Sequence, residues 1–260
     1  MKKKAKQAAA IAAVLGAVAI SPLSAWADEN SATYKSNGVV EFIPNTDPVD
    51  PVDPNKPDPE KPVKPVDPTD PEGPNPGTNG PLSIDYASSL DFGVNKISNK
   101  DMTYYANAQE LRSDEGSTYV PNYVQISDNR GTNAGWTLTV QQEGQLSNDT
   151  TQNKELTGSQ IQFVDPTVAS KTEVTPPTPA DVVTLDPNGA ESLVMSAKQS
   201  AGAGLWVDRW GKVEEMTGDQ GEKVQKTKAI SLTIPGKTPK DAVKYSTKLT
   251  WNLSDVPGNE

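Results

Sequence analysis

The 260-residue chain carries 24 basic and 34 acidic residues, a formal charge of −10, and neither histidine nor cysteine. These absences exclude a Ser-His-Asp triad, histidine and thiolate metal sites, a thiol nucleophile, iron–sulfur clusters and disulfides, so the fold must be held by its core alone. The acidic balance argues against a nucleic-acid partner, and no cofactor or metal is expected.

The chain opens on Lys2, Lys3, Lys4 and Lys6, continues through an apolar run from Ala8 to Ile20, and reaches the small-residue sequence Ala25-Trp26-Ala27. That is the order of a secretory signal, residues 1–27, with cleavage after Ala27 and Asp28 as the expected mature N-terminus. The apolar run is too short to span a bilayer, which takes about 20 residues, and no later stretch reads as a membrane span. Without a cysteine, a sorting motif or an apolar tail, the exported protein is expected to be either released or held by its own folded surface rather than by a covalent tether.

Residues 28–44 form a short N-terminal segment in which 33–43, rich in β-branched and aromatic residues, predicts one strand. Residues 45–81 are aspartate- and proline-rich, with Pro48, Pro51, Pro54 and Pro57, then Pro59, Pro62, Pro65, Pro68, Pro71 and Pro74. This spacing matches the three-residue turn of polyproline II, which predicts either a semi-rigid spacer or a long loop inside one domain. From residue 82 to 260 the pattern has period two. Leu82-Ile84-Tyr86, Val124-Ile126, Trp136-Leu138-Val140, Ile230-Leu232-Ile234 and Leu249-Trp251-Leu253 alternate with polar residues, each predicting a half-buried strand. Turn signals separate them, at Asp128-Asn129-Arg130-Gly131, Asp186-Pro187-Asn188-Gly189 and Pro235-Gly236. Short helical turns are expected near 105–112 and 191–200. The predicted class is all-β, an antiparallel β-sandwich of many short strands with long loops.

Two Trp-x-Leu tripeptides lie in these strands. The first is Trp136-Thr137-Leu138. The second is Trp251-Asn252-Leu253, within Tyr245-x-x-x-Leu249-Thr250-Trp251-x-Leu253-x-x-x-Pro257. The pair resembles the WxL family of surface proteins of low-GC Gram-positive bacteria. The resemblance implies non-covalent attachment to the cell wall by binding peptidoglycan, and partners among membrane-anchored WxL-interacting proteins and other WxL proteins. The motif residues are then candidates for wall binding. The alternation itself places Trp136 with Leu138, and Leu249 with Trp251 and Leu253, on shared faces, most simply core faces.

Gly202-Ala203-Gly204-Leu205-Trp206-Val207-Asp208-Arg209-Trp210-Gly211 pairs indoles with an acid and a base. Trp206, Asp208, Arg209 and Trp210 are therefore candidate ligand contacts, against the alternative of a turn with a packed tryptophan. Lys223, Lys226, Lys228, Lys237, Lys240, Lys244 and Lys248 could form a local basic patch for an anionic wall polymer, or a solvated sheet face. Asp128 and Arg130 read as turn and ion-pair residues. Nothing pairs two carboxylates as glycoside hydrolysis requires, so an enzyme is not expected. The expected function is a non-enzymatic, cell-wall-associated surface protein that binds peptidoglycan. The alternative is a subunit of a surface complex that docks a WxL-interacting protein, with room for an adhesin role.

Overall fold

The computed structural model describes residues 32–258. The predicted signal lies outside these residues. Contacts divide the chain into two units, Met1–Glu41 and Phe42–Glu260.

Residues 33–43 form no strand, which corrects the expectation for this segment. Their β-branched and aromatic composition reports a fit to a pleated, half-covered surface, but a strand also needs a hydrogen-bonded neighbour, and 33–43 pair with none among the described residues. Tyr34, Val39, Val40, Phe42 and Ile43 are 78–99% exposed.

The second unit is all-β. Its strands are β1 (Lys64–Pro65), β2 (Leu82–Ala87), β3 (Met102–Asn107), β4 (Gln109–Ser113), β5 (Gly116–Val120), β6 (Tyr123–Asp128), β7 (Trp136–Gln142) and β8 (Gln160–Val164). They continue with β9 (Pro166–Ala169), β10 (Thr178–Pro179), β11 (Val182–Thr184), β12 (Ser192–Ala197), β13 (Gly204–Trp210), β14 (Val213–Thr217), β15 (Lys223–Ile234) and β16 (Leu249–Ser254). They divide among four small antiparallel sheets rather than the two faces of the expected sandwich. The orders are β1-β4-β5, β2-β6-β13-β9, β10-β12-β7-β16 and β11-β8-β15-β14, with β3 also on β15.

The expected helical turns are strands. Residues 105–107 belong to β3 and 109–112 to β4, and 192–197 form β12. In the first case good helix formers are overruled by pairing with β15 and β5. In the second a bulge between Leu193 and Met195 breaks the period of two, so Val194 and Met195 are both buried and the alternation vanishes from the sequence.

The main core takes Trp136, Leu138 and Val140 from β7, Trp206 and Trp210 from β13, and Phe163 and Ile161 from β8. A smaller core gathers Val52, Tyr86, Leu111, Val120, Tyr123 and Val207. Strand β6 separates the two and is buried on both faces. Its polar residues Gln125 and Ser127, which alternation would turn to solvent, surround the buried Asp85. Ser83 Oγ, Ser127 Oγ and Gln125 Nε2 donate to that carboxylate at 2.7, 2.7 and 3.0 Å. Burial nevertheless holds the Asp85 carboxyl above its ordinary range.

Gln125 also fastens the proline-rich segment. Its Oε1 accepts from Val52 N–H at 2.8 Å and its Nε2 donates to Asp50 C=O at 3.0 Å. Further along, Val63 N–H donates to Pro51 C=O, β1 pairs with β4, and Val66 N–H donates to Glu110 C=O. The segment is thus folded onto the body and does not extend as a free spacer. The aspartates explain why. In Asp53-Pro54-Asn55, Asp58-Pro59-Glu60, Asp67-Pro68-Thr69 and Asp70-Pro71-Glu72, each carboxylate accepts the backbone N–H two residues on, across a proline that has none. These Asx turns bend the chain at each step, where charge repulsion alone would straighten it.

Candidate binding surface around the two tryptophan motifs

The two Trp-x-Leu strands are neighbours. β7 and β16 run antiparallel with Leu138 opposite Leu253, Val140 opposite Trp251 and Thr137 opposite Ser254. β7 alternates between fully and half-buried residues along its whole length, as its sequence predicts.

Trp136 is fully enclosed, and its indole N–H donates to Gly202 C=O at 2.9 Å. Gly202 sits at φ 71°, and a Cβ there would lie 2.5 Å from Ala197 Cβ and 2.8 Å from Trp136 Nε1, so the glycine is what lets the indole seat. Leu138 is equally buried. Trp251 is half-buried, with its ring centroid 6.2 Å from Trp210, which meets Phe163 edge-on at 4.9 Å. Leu249 and Leu253 are half-buried on the same core. Tyr245 acts as a strut: its hydroxyl donates to Asn153 C=O at 2.7 Å and accepts Asp241 N–H at 3.0 Å. The Asp241 carboxylate takes Thr151 Oγ1, Asn153 N–H and Asn153 Nδ2, which holds it below its ordinary range. Pro257 lies between two anchors, Val256 C=O accepting Thr137 Oγ1 at 2.8 Å and Gly258 N–H donating to Ala197 C=O at 3.2 Å. The inward motif residues thus hold the fold together.

The candidate contacts on 204–210 do not form a loop. They lie in β13, between β6 and β9. Trp206, Asp208 and Trp210 are buried in that strand, with the Trp206 N–H donating to Ala203 C=O. None presents a face to a ligand, which corrects the reading of these three as a sugar platform. Arg209 is half-buried and donates to Gly211 C=O at 3.0 Å. Neither Asp208 oxygen makes a hydrogen bond of full geometry, and burial pushes its carboxyl up to about 7, only partly opposed by Thr167 N–H and the Arg209 charge.

The lysine cluster is largely spoken for. Lys223 and Lys228 pair with Glu215 and Glu214 at 2.9 and 2.7 Å. Lys226 Nζ donates to Tyr105 C=O and Asn107 Oδ1, and Lys240 to Ser98 C=O. Asp128 and Arg130 make the expected ion pair, a two-pronged one at 2.9 and 2.8 Å, and Arg130 also holds Gly135 C=O at the entry to β7.

Two features escape the sequence. The first is the outward face of the motif sheet, where Thr137, Thr139, Gln141, Thr250, Asn252 and Ser254 stand together without a charge among them. Thr139 Oγ1 and Asn252 Nδ2 both donate to Glu191, at 3.0 and 3.2 Å. The second is the free edge of β16. Glu143 N–H donates to Lys248 C=O, which fixes the parity of the ladder. Residues 250, 252 and 254 therefore bond to β7, and the backbone groups of Leu249, Trp251 and Leu253 point away from it. No strand is hydrogen-bonded beyond them, although β2 comes within 8 Å of β16, and they have no backbone partner among the described residues. A separate cleft of about 440 Å³ is lined by Tyr119, Asn122, Gln225, Lys223 and Glu215, with the buried Asn122 Oδ1 unpartnered.

No curated protein and no solved structure matches the chain. The family model described as "WxL domain surface cell wall-binding" matches residues 29–257, nearly the whole chain and both motifs. The chain belongs to the WxL family of cell-wall-binding surface domains.

Proposed function

We propose that this domain binds peptidoglycan non-covalently and without catalysis, through the outward face of the motif sheet. The observation that carries the proposal is that face itself: six neutral hydroxyl and amide side chains on two paired strands whose inward residues pack on the main core, with the Glu191 carboxylate held by Thr139 and Asn252 and that of Glu143 by Thr250. Glycan strands and their peptides offer hydroxyls, amides and acetamido groups, and neutral hydrogen bonds to them are little screened by salt. The pairing of Lys223 and Lys228 with glutamates speaks against an anionic polymer as the main ligand. The signal-like sequence 1–27 supports export of the domain, and the N-terminal sequence of the secreted protein is expected to begin at Asp28.

The test is co-sedimentation with purified peptidoglycan. The triple variant Thr139→Ala, Asn252→Ala, Ser254→Ala should lose most pelleting while its thermal unfolding stays close to wild type. Undiminished pelleting would move the site elsewhere on the domain. A second reading, a complex subunit that docks a membrane-anchored WxL-interacting protein, is favoured by the unpaired edge of β16. Capture of such a protein without wall material would select it.

A further inference from the structure

We infer that Lys226 and Asn107 react with each other to form an isopeptide bond, an amide joining the two side chains, and that Asp91 moves the proton. The two residues stand directly opposite each other on β15 and β3. Their side chains therefore leave the same face of the sheet, with Cβ atoms about 5 Å apart. Lys226 Nζ lies 2.8 Å from Asn107 Oδ1. The electrophilic Cγ is one C=O bond, about 1.2 Å, from that oxygen. Asn107 Nδ2, the nitrogen that has to leave, donates to Asp91 Oδ2 at 2.8 Å. Amine, carboxamide and carboxylate thus stand in one hydrogen-bonded series. Such alignment turns a slow aminolysis into an intramolecular step.

The surroundings suit the reaction. The other acceptors around Nζ are Tyr105 C=O at 2.9 Å and Phe92 C=O at 3.5 Å, and neither is charged. Asn107 N–H donates to Asp91 C=O at 2.7 Å, so segment 91–93 is fastened to the end of β3. Gly93 comes so close that a Cβ on it would touch Lys226 Nζ at 3.5 Å, and Phe92 is buried. This cover desolvates the amine and holds it below the ordinary lysine value, against the opposing charges of Asp91 and Glu222. The neutral, nucleophilic share of Lys226 is enlarged accordingly.

In the step itself, the neutral Nζ adds its lone pair to Cγ. Asp91 takes the proton that Nζ gives up and delivers one to Nδ2. The Cγ–Nδ2 bond breaks and ammonia leaves. One amine and one primary amide become one secondary amide and ammonia, with no change of oxidation state. The bond ties together residues 119 apart in a chain that has no cysteine for a disulfide. It involves no wall material and stands apart from the wall-binding reading.

The test is the intact mass of the chain from Asp28, purified folded and held at neutral pH. The expected mass is lower than the sequence mass by one ammonia. Trypsin, which cuts after Lys100, Arg112, Lys223 and Lys228, should release 101–112 and 224–228 as one branched peptide, uncut at Lys226. Lys226→Arg and Asn107→Ala each remove a reactant and should keep their full mass. Asp91→Asn, compared at equal folded fraction, should lose ammonia about 100-fold more slowly or slower still. Reaction of that variant at the wild-type rate overturns the role given to Asp91. A wild-type chain at its full sequence mass overturns the inference. So does a loss of ammonia with 101–112 and the peptides around Lys226 recovered separately.

Discussion

Leu138 and Leu253, the last residues of the two Trp-x-Leu tripeptides, stand directly opposite each other on adjacent antiparallel strands. The motifs are therefore one structural element contributed from two distant parts of the chain. Their tryptophans differ in depth. Trp136→Ala should destabilise the fold by about 3–5 kcal/mol, as expected for a large buried ring. Trp251→Ala should destabilise it less, because that ring is half-exposed. Urea midpoints at constant m-value measure both.

Asp208 should give the protein a stability that falls as pH rises from about 4 to 7. Its carboxyl is raised to about 7 by burial, so the folded state holds a proton that the unfolded chain gives up near 3.8. Stability from this group is full below about pH 4 and lost as pH rises towards 7, the reverse of an ion-paired aspartate. Asp208→Asn should leave stability near pH 4 little changed. At pH 8 it should stabilise the fold by up to about 4 kcal/mol. Denaturant titrations at both pH values read this out, and parallel profiles for the two proteins would contradict it.

Gln125 joins Asp85 to the proline-rich segment. Gln125→Ala leaves Val52 N–H and part of the Asp85 carboxylate without partners and should destabilise by about 1–3 kcal/mol. It should also loosen residues 48–66. Trypsin is a poor probe there, since Lys56, Lys61 and Lys64 all precede proline. Endoproteinase Asp-N, cutting before Asp53 and Asp58, should cleave the variant faster than wild type.

Tyr245→Phe removes a hydroxyl that joins Asn153 and Asp241. A loss of about 1 kcal/mol is expected, with peptidoglycan pelleting per folded molecule unchanged. Lower pelleting at equal folded fraction would place Tyr245 in the ligand contact instead.

Lys248 precedes β16 on the parity of Thr250 and Asn252, and Lys244 lies four residues before it. If hydrogen bonding carries the attachment, replacing both with alanine should change pelleting less than two-fold at physiological salt. A large loss that high salt reproduces in wild type would point to an anionic ligand.

The sequence announces β7 plainly because one face of it is core and the other is not. It conceals β13, where Asp208 shares the core face with Trp206 and Trp210, so a buried strand reads as a polar loop with aromatics. It conceals β12 because one bulge shifts the alternation. The polar face of β6 is hidden for a different reason: what covers Gln125 and Ser127 is a proline-rich stretch whose composition suggests solvent. The neutral face of the motif sheet was in the sequence all along as the x of each Trp-x-Leu, but only the pairing of β7 with β16 sets Thr137, Thr139, Thr250 and Asn252 side by side.

Val52 carries a consequence for where this fold starts. It is wholly buried in the smaller core against Tyr86, Leu111, Val120, Tyr123 and Val207, thirty residues before the first long strand. A fragment trimmed to begin at Pro81, where the repetitive sequence stops, would open a hole beside Tyr123 and strip the lid from the Asp85 carboxylate. The low-complexity stretch is a wall of the building and not the path leading up to it.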